Sequence, residues 1–316
     1  MFLNIILLVI GFIFLIKGAD IFVDGASSLA EHFKVPKILI GLTIVAFGTS
    51  APELAVSISS LSKGSTDLLL GNVIGSNILN ILLILGVASL IHPIKIKYNT
   101  VKKELPLCML ISTLLVVLFL DVKLANGTVN EITRSDAIVI LLFFSVFLYY
   151  LLSLTKQKET FSFKKPKLKL STALIFVVIG LAGIIFGSNL VVNNAKEIAL
   201  KIGLSERLIA LTIIAFGTSL PELVTTIVSS KKGEQDLLLG NIIGSNIFNA
   251  CVVLGLPVAI FGTITPKSFN YIDLVALLLS AVLLFIFAET RKTIDKKEGI
   301  VFLLLFIIYY ILVFII

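Results

Sequence analysis

Residues 39–86 of this chain read LIGLTIVAFGTSAPELAVSISSLSKGSTDLLLGNVIGSNILNILLILG, and residues 208–255 read LIALTIIAFGTSLPELVTTIVSSKKGEQDLLLGNIIGSNIFNACVVLG. The two stretches align without a gap at a constant offset of 169, with about 31 of 48 positions identical. The same offset pairs Gly11 with Gly180 and Gly18 with Gly187. A repeat this long is one architectural unit used twice, so each half of the chain must build the same substructure.

The surrounding solvent decides what that unit is. Hydrophobic residues make up 58% of the chain and charged residues only 14%, too little charge to cover a water-soluble surface. A membrane span needs roughly 20 apolar residues. On that criterion ten segments stand out, at 2–24, 37–61, 68–91, 104–121 and 135–154, then 171–197, 206–229, 237–261, 270–288 and 298–316. The first is expected to be a span rather than a signal peptide, because it lacks a basic start and recurs in mid-chain. Each repeat then holds an odd number of spans, so the second must enter the membrane from the opposite side. The expected fold is an all-α polytopic membrane protein with ten transmembrane helices as two inverted five-helix repeats. These occupy residues 1–154 and 171–316, joined by a basic linker at 155–170. Inverted repeats suit alternating access around a midplane site.

The net charge of +7 does not form a nucleic-acid-binding stripe, since Lys and Arg fall between the apolar runs. The connections near 25–36, 92–103, 155–170, 230–236 and 289–298 carry roughly 18 of them, against about 7 on the other face. That places the first set in the cytoplasm of a multi-pass cell-membrane protein, with both termini outside. The linker, containing KQKETFSFKKPKLK, is read as a solvated segment against anionic headgroups.

Each repeat carries one acid near mid-span, Glu53 and Glu222. A lone charge there costs at least ~2.5–3.5 kcal/mol and persists only when protonated, paired or neutralised by a ligand. The motif spans offer no Lys or Arg at that depth, which points to a cation from outside the chain. Thr49 and Thr218 lie four residues before the acids and share their helical face. Pro52 and Pro221 deprive the carbonyls of Gly48 and Gly217 of a donor, so carbonyls around Ala46–Thr49 and Ala215–Thr218 are expected to open toward ions. Ser76 with Asn80, and Ser245 with Asn249, place two further oxygens on one face of the next span. An all-oxygen site suits hard cations such as Ca²⁺ and Na⁺ and disfavours zinc and copper.

The smaller signals read more plainly. Gly71 with Gly75 and Gly240 with Gly244 are expected to let helices approach closely. Asp67 and Asp236 read as N-caps, and Asp20 as a local partner of Lys17. Asn72, Asn77, Asn241 and Asn246 fit interhelical bonding or ion ligation equally. Cys108 and Cys251 read as buried core, and His32 and His92 offer no ligand cluster. No P-loop, dinucleotide fingerprint or nucleophile–His pair argues for an enzyme.

At GTSAPE and GTSLPE, followed by GNVIGSN and GNIIGSN, the sequence resembles the sodium/calcium exchanger family of the cation/calcium antiporter superfamily, across all ten spans. The resemblance implies exchange of several Na⁺ for one Ca²⁺ with net charge movement, the first and sixth spans sliding as the gate. It implies a Ca²⁺ site from Thr49, Glu53, Thr218 and Glu222. Sodium sites would use Ser50, Ser219, Ser76, Ser245 and the carbonyls of Ala46 and Ala215, with Asn80 and Asn249 completing the centre. Some microbial relatives carry Asp at the position of Asn249, and potassium-dependent relatives place an acid in this region. Asparagine in both halves therefore favours plain Na⁺/Ca²⁺ exchange over a potassium-dependent form, while a proton/calcium antiporter stays open as the alternative. The transported ions are the only ones implied: no resident cofactor, obligate protein partner or nucleic acid is expected, and the lipid bilayer is the surroundings.

Overall fold

The computed structural model describes the chain except residues 125–127, 157–164, 204–214, 267–270 and 316. The described residues form helices in the order the apolar segments require. In the first half they are α1 (Phe2–Phe33), α2 (Lys37–Thr49), α3 (Ala51–Ser62), α4 (Thr66–Ile91), α5 (100–118) and α6 (Arg134–Lys156). In the second half they are α7 (Leu170–Lys201), α8 (Ala215–Thr218), α9 (Leu220–Lys231), α10 (Gln235–Phe261), α11 (Tyr271–Arg291) and α12 (Lys296–Ile315). Six of these are long and apolar enough to cross a membrane alone, and α2 with α3 makes a seventh, bent by 44°. The start of the seventh expected span, at 206–214, and most of the 155–170 linker lie outside the described residues.

α1 and α7 define the geometry. Gly11 packs on Gly187, Gly18 on Gly180 and Gly25 on Ala173, so the numbers rise along one helix as they fall along the other. The helices are antiparallel, as inversion demands. The offset of 169 converts the pair Gly11–Gly187 into Gly180–Gly18, so the crossing maps onto itself under a two-fold axis. A Cβ on Gly18 would sit 2.8 Å from the Ile184 nitrogen, and one on Gly180 2.7 Å from the Phe22 nitrogen. Backbone-to-backbone approach through small residues supplies packing where lipid offers no hydrophobic drive. Both helices are 32 residues long, longer than the 2–24 and 171–197 expected. At 1.5 Å per residue that is about 48 Å, so they overrun a ~30 Å hydrocarbon core.

Burial sorts the rest. The apolar windows of α4 and α10 are 72% and 83% buried, those of α1, α6 and α7 only 22–28%, and that of α11 33%. α4 and α10 therefore form the centre with the broken helices, while α1, α7 and the flanking helices α6 and α11 meet lipid. Both central helices widen into π-turns, at Leu79–Leu85 and Asn249–Val253, which contain the repeat-equivalent Asn80 and Asn249. Such bulges often mark functional positions. Two short strands, β1 (Ile94–Lys95) and β2 (Thr293–Ile294), pair antiparallel with Ile94 opposite Ile294 and tie the repeats together at one face.

Several local expectations change. Asp67 and Asp236 lie in the first turns of α4 and α10, but the N-caps are Ser65 and Glu234, and Asp236 pairs with Lys97 at 2.5 Å. Asp20 pairs with Lys232 at 2.8 Å rather than with Lys17, because α1 lies against α9. Gly240 and Gly244 pack against Gly41, Leu42 and Ala46 of α2 as expected, whereas Gly71 and Gly75 meet no described neighbour. Cys108 and Cys251 are free and buried.

Gly18→Val and Gly180→Val should each cost at least about 1–3 kcal/mol through overpacking. A lowered thermal midpoint in detergent checks this, with the lipid-facing Ile13→Val unchanged.

Candidate ion-binding site

The broken helices create the site. α2 ends at Thr49 and α3 starts at Ala51, with Ser50 between them at φ −85°, ψ 7°. α8 and α9 break identically at Ser219, φ −87°, ψ 5°. Each proline stands in the first turn of the second segment, where its missing N–H is tolerated. The break thus falls two residues beyond Gly48 and Gly217, although these carbonyls are the ones the prolines deprive. Ser188 of α7 hydrogen-bonds the Gly217 carbonyl at 3.0 Å; its repeat equivalent in α1 is Ala19, which has no donor. Glu53 and Glu222 occupy the first turns after the breaks, so C-terminal carbonyls of one segment and a carboxylate of the next converge on one place.

The repeats interlock there by reciprocal bonds. Ser50 Oγ donates to Glu222 Oε1 at 2.9 Å, and Ser219 Oγ to Glu53 Oε1 at 3.4 Å. Ser50 lies 3.0 Å from Ser245, and Ser219 3.2 Å from Ser76. Asn77 Nδ2 donates to the Asn246 carbonyl at 3.1 Å, and Asn246 Nδ2 to the Asn77 carbonyl at 3.4 Å. Each contact maps onto its partner by the 169 offset, so the glutamates straddle the two-fold axis.

Of the expected site residues, Ala46, Thr49, Ser50, Glu53, Ser76, Asn80, Ser219, Glu222, Ser245 and Asn249 are buried, and Thr218 is half-buried. The Ala46 carbonyl accepts from Ser50 N–H at 3.0 Å and lies 3.5 Å from Ser245 Oγ, placing it at the shared edge of the cluster. Ala215 holds the equivalent place at the start of α8, and its side chain lies outside the described residues. Asn80 donates to Asn246 Oδ1 at 2.9 Å. These residues are brought together around both breaks.

Nine buried side-chain atoms lack a hydrogen-bond partner among the described residues, and seven belong to Glu53, Asn77, Asn80, Glu222, Thr225 and Asn249. Such atoms are costly unless satisfied, so their concentration on the central helices argues for a polar ligand. No ion pair to Glu53 or Glu222 occurs among the described residues, so a bound proton or a cation from outside the chain is left to neutralise them. No cluster of three or more His, Cys, Asp or Glu occurs among the described residues either. With two carboxylates and otherwise neutral oxygens, the donor set fits a hard cation rather than zinc.

Sequence reasoning missed Thr225, whose buried hydroxyl has no partner among the described residues; its position three residues after Glu222 was the available signal. It also missed Ser188, for which the polar interruption of an apolar helix was the only hint.

The sequence pattern of sodium/calcium exchanger proteins matches residues 3–153 and 172–315, covering both repeats. The chain belongs to the sodium/calcium exchanger family. It is 39% identical to the putative antiporter CaxA of Alkalimonas amylolytica over 98% of each chain. It is 29% identical to the sodium/calcium exchanger MaX1 of Methanosarcina acetivorans over the same share of each. The solved sodium-calcium exchanger NCX_Mj superposes with a TM-score of 0.84 at 31% identity, covering 97% of both chains. This family member is thus a polytopic membrane protein with the fold of a cation/calcium antiporter, a transporter rather than an enzyme.

Glu53→Gln and Glu222→Gln should each weaken Ca²⁺ binding on the order of 100-fold, since ligand charge sets calcium affinity. In ion-free buffer the same variants should melt no lower than the parent, because each removes an uncompensated buried charge. Titration calorimetry and thermal melts read the two effects separately.

Proposed function

We propose that this exchanger-family protein moves several Na⁺ in one direction for one Ca²⁺ in the other, by alternating access around the Glu53–Glu222 site. The observation that carries the reading is the pair of buried carboxylates, each held by a serine of the opposite repeat and neither paired with a cation among the described residues. One Ca²⁺ neutralises two carboxylates, and several Na⁺ on the surrounding hydroxyls, amides and carbonyls do so too. Empty, the pair would have to cross a dry intermediate as two bare charges, which is strongly unfavourable. Transport is therefore obligatorily coupled: the loaded protein switches and the empty one does not. In this reading Thr49, Thr218 and the two glutamates hold Ca²⁺. Ser50, Ser76, Ser219, Ser245, Asn80, Asn249 and the carbonyls of Ala46 and Ala215 share in holding Na⁺.

Alternating access draws support from an asymmetry between the faces. α1 packs along α9, whereas the equivalent α7 and α3 make at most marginal contact. Lys232 bridges Asp20 and Asp24, each at 2.8 Å, and Lys37 bridges Glu234 at 2.8 Å and Glu31 at 3.3 Å while donating to Ser27. The offset of 169 turns Asp20 and Asp24 into Asn189 and Asn193, and Glu234 into Ser65, so the opposite face has no matching network at those positions. The ion network thus seals the Lys- and Arg-rich face, which the positive-inside rule makes cytoplasmic, in one of two conformations.

Sodium-loaded liposomes diluted into sodium-free buffer should take up radiolabelled Ca²⁺, with a rate that responds to membrane voltage. Uptake driven by a pH gradient alone would instead make this a proton/calcium antiporter, and a requirement for potassium would make it a potassium-dependent exchanger. Lys37→Gln should loosen the sealed face and raise maleimide labelling of Ala30→Cys several-fold. Unchanged labelling would show that the ion network is not what holds that face shut.

A further inference from the structure

We infer that Asn72 and Asn241 are positioning residues for cation binding, each setting the threonine hydroxyl contributed by the opposite repeat. The inference rests on the reading of Thr49 and Thr218 as cation ligands and adds what makes them competent.

The geometry orients the Asn72 amide, and the side-chain contacts of Asn241 match it. Asn72, on α4, donates through Nδ2 to the backbone carbonyl of Glu53 at 3.0 Å and to Ser57 Oγ at 2.9 Å. A carbonyl can only accept, so the amide nitrogen must face α3 and the amide oxygen must face away. That oxygen lies 3.4 Å from Thr218 Oγ1, on α8 of the other repeat. Asn241, on α10, repeats the two side-chain contacts without the carbonyl bond: its Nδ2 meets Thr226 Oγ1 at 3.1 Å, and its Oδ1 lies 3.1 Å from Thr49 Oγ1. The offset of 169 converts Asn72 into Asn241, Ser57 into Thr226 and Thr218 into Thr49. The hydroxyl–amide–hydroxyl contacts of one repeat therefore recur in the other.

The consequence concerns one hydrogen atom. A threonine hydroxyl has a single proton and two lone pairs. Thr49 Oγ1 has three acceptors in reach: the carbonyls of Val45 at 3.0 Å and Ala46 at 3.3 Å, and Asn241 Oδ1 at 3.1 Å. Bonding to its own helix is the habit of a mid-helix threonine, and it would occupy carbonyls at the end of α2. Donation to Asn241 instead leaves those carbonyls unoccupied by the hydroxyl and directs the proton away from the cation. The lone pairs then face the ion. Glu53 and Glu222 supply charge to the site; the asparagines determine which way the neutral oxygens point. Because each asparagine reaches across to the other repeat, the two halves of the site are oriented by each other.

The experiment is a set of double-mutant cycles on Ca²⁺ affinity, read by titration calorimetry of the purified full chain. Asn241→Leu keeps the approximate shape and removes the acceptor, and should weaken Ca²⁺ binding on the order of tenfold. In a Thr49→Val background it should add less than about twofold, whereas in a Thr218→Val background it should retain its full effect. Asn72→Leu should show the mirror pattern, silent with Thr218→Val and fully effective with Thr49→Val. A merely structural role would give the same loss in every background. Should Asn241→Leu fail to fold, Thr226→Val leaves Asn241 in place but frees its amide, and the same coupling to Thr49 is expected with a smaller effect. Additive cycles, or coupling within one repeat, overturn the inference while the exchanger reading stands. A parent protein that binds no Ca²⁺ overturns the site reading and this inference with it.

Discussion

Two carboxylates buried in the middle of a membrane protein, with no cation paired to either among the described residues, set the terms for the rest of this structure. In a low-dielectric interior each bare charge costs several kcal/mol. The surrounding architecture lowers that cost without removing it. Ser50 and Ser219 donate to the carboxylates, the helix breaks bring carbonyls to the same place, and Asn80 and Asn249 present further polar atoms without partners. None of these groups carries a compensating positive charge. In the proposed exchange a cation fills the remaining deficit, so binding and coupling would arise from the same electrostatic requirement.

That arrangement depends on the two-fold relation between the repeats. No single repeat forms the site: each glutamate is held by the other half's serine, and each threonine faces the other half's asparagine. The α1–α7 crossing keeps the halves antiparallel through backbone contact at glycine. Symmetry is broken away from the axis, where the Lys37 and Lys232 networks join the repeats on one face. A protein with a symmetric centre and an asymmetric periphery can present one site to two sides in turn.

Much of this was legible in sequence. The repeat at constant offset, the odd number of spans per half and the paired GTSAPE and GTSLPE motifs together gave the inverted architecture and the residues gathered at its centre. Other readings failed where an answer lay on a distant helix. Asp20 has Lys17 one turn away, yet its partner is Lys232, more than 200 positions later. Asp67 and Asp236 sit where caps are common, yet the chain enters its helices two residues earlier, at Ser65 and Glu234. The asparagines were undecidable because their spacing along one helix says nothing of what faces them on another.

The sequence by itself determined that the chain lives in a membrane, that its halves are inverted, and that two acids with hydroxyl neighbours lie at mid-depth. Each of these follows from local composition, from period, or from parity of the span count. Only the tertiary structure decided that bonds at the site run between repeats, that Asn72 and Asn241 meet threonines across the axis, and which face carries the Lys37 and Lys232 networks. Those are contacts between segments some 140–210 positions apart. Their geometry is set by how antiparallel helices pack, a relation that no local pattern of residues encodes.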